Sequence, residues 1–260
     1  MRAPEWPGEA ATYYRLCTSC GQPAHRTGAP GHDGVGSTPI CRNSWCSRPG
    51  RPIEAVYAVG SYEGALRKAI VSYKYGGDLR WARTFGRLLH GFLRRHATWF
   101  EEFGVVCPVP TFLGPGAHRS WGHVELMCAE LAWSAGGEWP VESLVAKVAE
   151  TEPMSAKGWP QRRRIARQLA TGAFVVPVPP DVAGRRVLVV DDVCASGETL
   201  LCTGEALRQA GAAEVSALVL ARARWRPRVG GEEVSLSGPA GDKPTGRRSA
   251  RPNVGACPKT

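Results

Sequence analysis

With 260 residues, the chain has room for one well-cored α/β domain, a small accessory module and a tail, but not for two full-sized domains. No stretch approaches the roughly 18 consecutive apolar residues of a membrane span, and the N-terminal segment has acidic residues where a signal peptide would be apolar, so a cytoplasmic protein without membrane insertion is expected. The net charge of +10 is uneven: residues 222–260 hold nine Lys/Arg and three Asp/Glu, whereas residues 1–221 hold 24 and 20, the balance of an ordinary solvated surface with no aromatic-plus-basic stripe.

Residues 1–52 are rich in Gly, Pro, Cys and His and show neither helical nor strand periodicity, the pattern of a small module that needs a staple. Cys17-x2-Cys20 and Cys41-x4-Cys46, separated by twenty residues, supply four thiolates from two turns, as a tetrahedral structural Zn²⁺ site requires. His25 or His32 is an alternative fourth ligand, and unligated reduced thiols are the plainer reading. A zinc-ribbon-like module over 1–52 is the expectation. Cys107, Cys128, Cys194 and Cys202 have no paired spacing and read as buried structural thiols.

From residue 53 to 223 the pattern is that of one α/β domain. AVYAVGSY (55–62) reads as a strand, EGALRKAIVSYKY (63–75) and LRWARTFGRLLHGFLRRH (79–96) as two amphipathic helices around Gly76-Gly77, and GVVCPVP (104–110) as a buried strand stopped by proline. WGHVELMCAELAWSA (121–135) has helical spacing, while GAFVV (172–176) and RVLVV (186–190) read as strands. SGETLLCTGEALRQAGA (196–212) is a helix ending in glycine and EVSALVLA (214–221) a last strand. Strands alternating with helices predict a mainly parallel sheet with helices on both faces. Residues 224–260, dominated by Arg, Pro, Gly and Ser, cannot bury enough apolar surface to fold and read as a disordered basic tail.

The run Val187-Leu188-Val189-Val190 is apolar throughout, as in a central parallel strand, and ends in Asp191-Asp192, followed by a small-residue turn and a helix. That is where open α/β sheets bind ligands. Ala195, Ser196 and Gly197 let backbone amides approach an anion, and the next helix adds its dipole. The hydroxyls of Ser196 and Thr199 suit a phosphate, and the two carboxylates suit ribose hydroxyls, directly or through Mg²⁺ and water. Taken alone, the aspartates could simply cap a strand and a helix.

The complete order VLVVDDVCASGETL (187–200) resembles the PRPP-binding motif of type I phosphoribosyltransferases, which implies a PRPP site at Asp191, Asp192, Ala195, Ser196, Gly197, Glu198 and Thr199. Relatives acting on hypoxanthine and guanine carry an Asp where this chain has Ala195, which argues against that purine chemistry. The chain also resembles the competence protein F (ComF) family over roughly residues 15–222. The cysteine module, SYEGALRKAIVSYKYGGD (61–78), CPVPTFLGPGAHRSWGHVEL (107–126) and the aspartate motif carry this resemblance. Pro108, Pro110 and Arg119 match the family's VPVP and RGFNQ-like stretch, whereas Ser120-Trp121-Gly122-His123 stands where Gly-Phe-Asn-Gln is usual.

The resemblance implies a type I phosphoribosyltransferase fold, PRPP bound with Mg²⁺ and phosphoribose transfer to an unknown acceptor. The alternative it leaves is a non-catalytic PRPP-binding or DNA-handling role in competence, with single-stranded DNA or a competence-machinery protein as partner. It further implies that Pro110 and Thr111 form a short diphosphate loop and that Lys74 contacts the ligand. KVAETEPMSAKGWPQRRRIARQ (147–168) resembles the mobile catalytic loop, its Arg162, Arg163 and Arg164 neutralising diphosphate; a plain solvated basic loop is the other reading. Asp191, Asp192, Arg163 and Arg164 are thus the catalytic candidates.

Overall fold

The computed structural model describes residues 52–117, 119–150, 172–195 and 197–223, together with 228–229 and 232–233. The chain divides into two units, Met1–Trp225 and Arg226–Thr260. The zinc-ligand candidates Cys17, Cys20, Cys41 and Cys46, the arginines at 162–164, and Ser196 lie outside the described residues, as does most of the tail.

The first unit runs β1 (Val56–Ser61), α1 (Gly64–Gly76), α2 (Arg80–Arg95), the short α3 (Ala97–Phe100), β2 (Val105–Pro108), α4 (His123–Ala135), β3 (Ala146–Lys147), β4 (Phe174–Val175), β5 (Arg186–Cys194), α5 (Glu198–Gln209) and β6 (Glu214–Arg222). A 3₁₀ turn spans Pro179–Asp181 before β5. In the second unit β7 (Arg228–Val229) pairs antiparallel with β8 (Glu232–Glu233).

Four strands form one sheet in the order β1-β6-β5-β2, every pair parallel. Its two central strands, β5 and β6, are the near-continuous apolar runs that burial on both faces demands. Side chains alternate across the sheet. Val187 and Val189 of β5 pack with Leu200, Leu201 and Leu207 of α5 on one face. Leu188 and Val190 pack on the other with Tyr73, Phe85, Leu89, Met127 and Leu131 of α1, α2 and α4. Helices therefore cover both faces, as the alternation of elements predicts. Cys107, Cys128, Cys194 and Cys202 are all buried and form no disulfide.

Two elements differ from the sequence expectation. The strand expected at 172–176 shrinks to Phe174–Val175 and joins β3 in a separate antiparallel pair, with Lys147 opposite Phe174, because prolines 177 and 179 stop it at once. The strand expected to end at Val190 continues through Asp191 and Asp192 to Cys194, in register with Val219, Ala221 and Arg222 of β6.

The close approach of α2 to α4 depends on Gly86. A Cβ at that position would lie 2.6 Å from Glu130 Cβ and 2.7 Å from the Leu131 backbone nitrogen, so neither neighbour can yield cheaply. Gly86→Ala should cost about 1–3 kcal/mol of stability through overpacking. Gly91, on the same helix, has open space where a Cβ would be, and Gly91→Ala should stabilise by about 0.5–1 kcal/mol. Urea unfolding of the two variants checks the opposite signs.

Candidate functional site

Parallel pairing places the carboxyl ends of β2 and β5 side by side, with Pro108 opposite Val190 and the Val109 amide donating to the Val190 carbonyl at 2.8 Å. The Pro110–Thr111 loop and the segment that follows Cys194 therefore leave the sheet at the same end. The Asp191 and Asp192 residues are 8% and 1% exposed. They are buried in the strand rather than standing free at its tip, contrary to the expectation of a strand that ends there. Two buried carboxylates need partners, and the fold supplies them from sequence-distant elements.

Lys74, in the last turn of α1, straddles the Asp192 carboxylate, its Nζ 2.8 Å from Oδ1 and 2.6 Å from Oδ2. His123, the first residue of α4, places Nε2 3.1 Å from Asp192 Oδ2. One guanidinium nitrogen of Arg119 lies 2.7 Å from His123 Nδ1 and 2.8 Å from Nε2. An arginine can only donate, so one ring nitrogen accepts from it and the imidazole is neutral. Tyr73 anchors the start of α4 by donating its hydroxyl to the His123 carbonyl at 2.6 Å. Asp191 accepts the Asp192 backbone N–H on Oδ1 at 2.8 Å.

The charges follow from this geometry. Burial pushes the Asp191 carboxyl up to about 8, and the neighbouring Asp192 charge adds to the rise. Burial acts in the same direction on Asp192, but Lys74 and then His123 outweigh it and hold that carboxyl well below the usual range. Burial would lower the Lys74 pKa, yet Asp192 and Asp191 together raise it. Desolvation pulls His123 down despite Asp192, in keeping with its neutral tautomer. At neutral pH the centre is therefore a Lys74–Asp192 ion pair beside a protonated Asp191.

Beyond β5 the chain turns through exposed Ala195 to Gly197, whose φ of 83° is the left-handed conformation that favours glycine. Gly197 caps α5, whose first turn, starting at Glu198 and Thr199, has backbone N–H groups without helical partners. Thr199 also accepts the Thr203 hydroxyl on its carbonyl at 2.9 Å. Both donors of Thr111 are engaged by one side chain: its amide reaches Glu125 Oε1 at 2.6 Å and its hydroxyl Glu125 Oε2 at 3.0 Å. Pro110 has no N–H to give. The loop expected to meet a diphosphate with its amides is thus held by an internal carboxylate in this structure.

The fold brings together Lys74, Asp191 and Asp192, with the Pro110–Thr111 loop leaving the same end of the sheet, and adds His123 and Glu125, which sequence reasoning did not select. The available signal was that His123 occupies the glutamine position of the RGFNQ-like stretch. Among the described residues no cluster of three or more His, Cys, Asp or Glu side chains is placed to hold a metal ion by itself.

Comparisons with known proteins concern the domain that carries these residues. The phosphoribosyl transferase domain family matches residues 148–231, which contain β5, α5 and β6. The DNA utilization protein YhgH of Escherichia coli O157:H7 is 25% identical over 215 residues, covering 82% of this chain and 86% of the relative. Its counterpart in Escherichia coli K12 is 25% identical over 209 residues, covering 80% and 84%. A phosphoribosylpyrophosphate synthetase from Mycobacterium smegmatis is similar over 53% of this chain but only 33% of its own, with 21% identity and a TM-score of 0.32. The chain thus carries a segment similar to the phosphoribosyl transferase domain family and resembles the DNA utilization protein YhgH over most of its length, which supports the ComF-type resemblance read from the sequence.

Proposed function

We propose that the site binds PRPP with Mg²⁺ and transfers its phosphoribosyl group to an acceptor. The observation that supports this most is the acidic pair of the motif, buried at the carboxyl end of a central parallel strand and followed directly by a glycine-capped helix N-terminus. In this reading Asp191 and Asp192 hold ribose hydroxyls. The turn from Ala195 through Ser196 to Gly197 and the first turn of α5, with Glu198 and Thr199, hold the 5′-phosphate. Lys74, seated on the Asp192 carboxylate, borders the ligand in this reading. Arg163 and Arg164 neutralise the departing diphosphate, and Pro110 and Thr111 border it.

The oxygen-rich donor set fits a magnesium ion held mainly by the ligand. Both Asp192 oxygens already face Lys74 or His123, so the carboxylates would reach the ion through water. Magnesium would supply charge neutralisation of the leaving diphosphate. No nucleophile of the chain is needed, because C1 loses diphosphate and gains the acceptor.

A second reading has support of its own: relatives matched over most of their length are named for DNA utilization, and Asp192 and Thr111 are engaged internally, by Lys74 and Glu125. Here the site senses PRPP without turnover in a DNA-handling protein. Release of diphosphate from PRPP with Mg²⁺, measured with and without single-stranded DNA and nucleobases, separates the two. Acceptor-dependent release supports transfer. Saturable PRPP binding without release supports sensing. Among the described residues no helix is long and apolar enough to cross a membrane.

A further inference from the structure

Helix α2 carries Arg80, Arg83, Arg87, Arg94 and Arg95 and not one acidic residue. Arg83, Arg87 and Arg94 are spaced by four and seven residues, which aligns them in one exposed stripe about 17 Å long. Helix stability does not explain this stripe. Arg80 and Arg83 sit in the first turn, where cations oppose the helix dipole, and neighbouring like charges three or four residues apart repel. Arg80 is offset by Asp78, which accepts from it at 2.8 and 3.0 Å. The carboxylates nearby on other elements are Glu130 of α4, half-buried where it packs on Gly86, and Glu138, 3.9 Å from His90.

Packing of α4 on α2 adds an aromatic plane to the stripe. Trp133 is 70% exposed, and the Arg83 guanidinium lies over its ring, 5.8 Å from the centroid. An exposed indole flanked by arginines is the combination that holds single nucleic-acid strands, with phosphates on the cations and a base on the ring. A lipid surface is a poorer fit. A helix lying on a membrane turns an apolar face to lipid, whereas Ala82, Phe85, Leu89, Phe92 and Leu93 of α2 are committed to the core.

We infer that the outer face of α2, with Trp133 of α4, is a docking surface for single-stranded DNA: phosphates track Arg83, Arg87 and Arg94 while a base stacks on Trp133. This goes beyond the PRPP site and shares no residue with it. The choice of DNA over RNA rests on the DNA-handling reading.

The test is fluorescence anisotropy of the full chain with labelled oligo(dT) over a salt titration. Oligo(rU), a DNA duplex and vesicles of phosphatidylglycerol with phosphatidylcholine serve as further arms. The exchanged side chains are exposed, and matching circular dichroism and melting temperature confirm the fold of each variant. The Arg83→Gln/Arg87→Gln/Arg94→Gln variant should bind oligo(dT) roughly tenfold more weakly at low salt. Its log–log salt slope should be shallower by about 2, because each phosphate left without its arginine lowers the slope by about 0.7. Trp133→Ala should weaken oligo(dT) roughly fivefold or more, leave duplex binding unchanged, and be largely rescued by Trp133→Phe.

Wild-type affinity for oligo(dT) in both the triple and Trp133→Ala variants would overturn the surface and leave DNA binding to another part of the chain. Absence of oligo(dT) binding by the wild type, or binding of oligo(rU) alone, would overturn the choice of DNA as well. Vesicle binding that depends on the three arginines, with oligo(dT) binding independent of them, would assign the stripe to lipid. PRPP binding measured on the same samples reports separately on the phosphoribosyl site.

Discussion

Lys74→Met lowers folding stability by about 3 kcal/mol or more, and adding Asp192→Asn recovers most of the loss. Both carboxylate oxygens of Asp192 lie within 2.8 Å of the Lys74 ammonium, in a place where the carboxylate side chain is 2% exposed and the lysine 17%. Removing only the lysine leaves a buried charge with His123 as its remaining partner, and breaking one half of such a pair is the costly change. Neutralising the aspartate as well removes that charge. Chemical denaturation of the two single variants and the double variant gives the coupling directly. Additive losses would mean that the pair is not a unit.

Asp191→Asn has the opposite sign: the ligand-free protein becomes more stable, increasingly so as pH rises. The Asp191 carboxyl titrates at about 8 in the fold against an ordinary value of 3.8. Between those values the unfolded chain has released its proton and the folded chain still holds it. The folded state therefore binds more protons, and wild-type stability falls as pH rises through this window, by at most about 1.4 kcal/mol per pH unit, and levels off above the folded value. Asn has no proton to lose. The advantage of the variant should be small near pH 4, grow toward pH 8 and then flatten, as urea unfolding across that range would show. A pH-independent difference would mean that Asp191 is ionised in the fold. A ligand site that costs the empty protein stability is the expected sign of a group kept for binding.

The parallel sheet was legible because Val187–Val190 of β5 and Ala217–Ala221 of β6 are apolar throughout and because the helices announce themselves by spacing and by glycine at 77 and 136. The motif was legible because VLVVDDVCASGETL packs strand, acids, turn and helix start into consecutive residues. What was hidden depends on long-range contacts. An acidic pair looks like the end of a strand until a lysine 118 positions away neutralises it, and nothing local to Asp192 announces Lys74. Glu125 was hidden in the same way, since its partner Thr111 stands in another element. The basic stripe escaped a count of charges because acids elsewhere in the fold balance the total, and its aromatic partner Trp133 comes from a different helix.

The central claim is that the acidic pair is a PRPP site, and isothermal titration calorimetry of PRPP with Mg²⁺ tests it most directly on wild type and Asp191→Asn. This variant keeps the Lys74–Asp192 pair, so its fold is not at issue, whereas changing both aspartates would strand a buried lysine. Saturable PRPP binding by the wild type, weakened roughly tenfold or more in Asp191→Asn, is the predicted result, since in this account the ribose hydroxyls and Mg²⁺ draw Asp191 into its ionised form, which Asn cannot supply, and a hydrogen bond to a charged group is worth about 1.5–3 kcal/mol. Equal PRPP affinity in the two proteins, or no PRPP binding by the wild type, would contradict it.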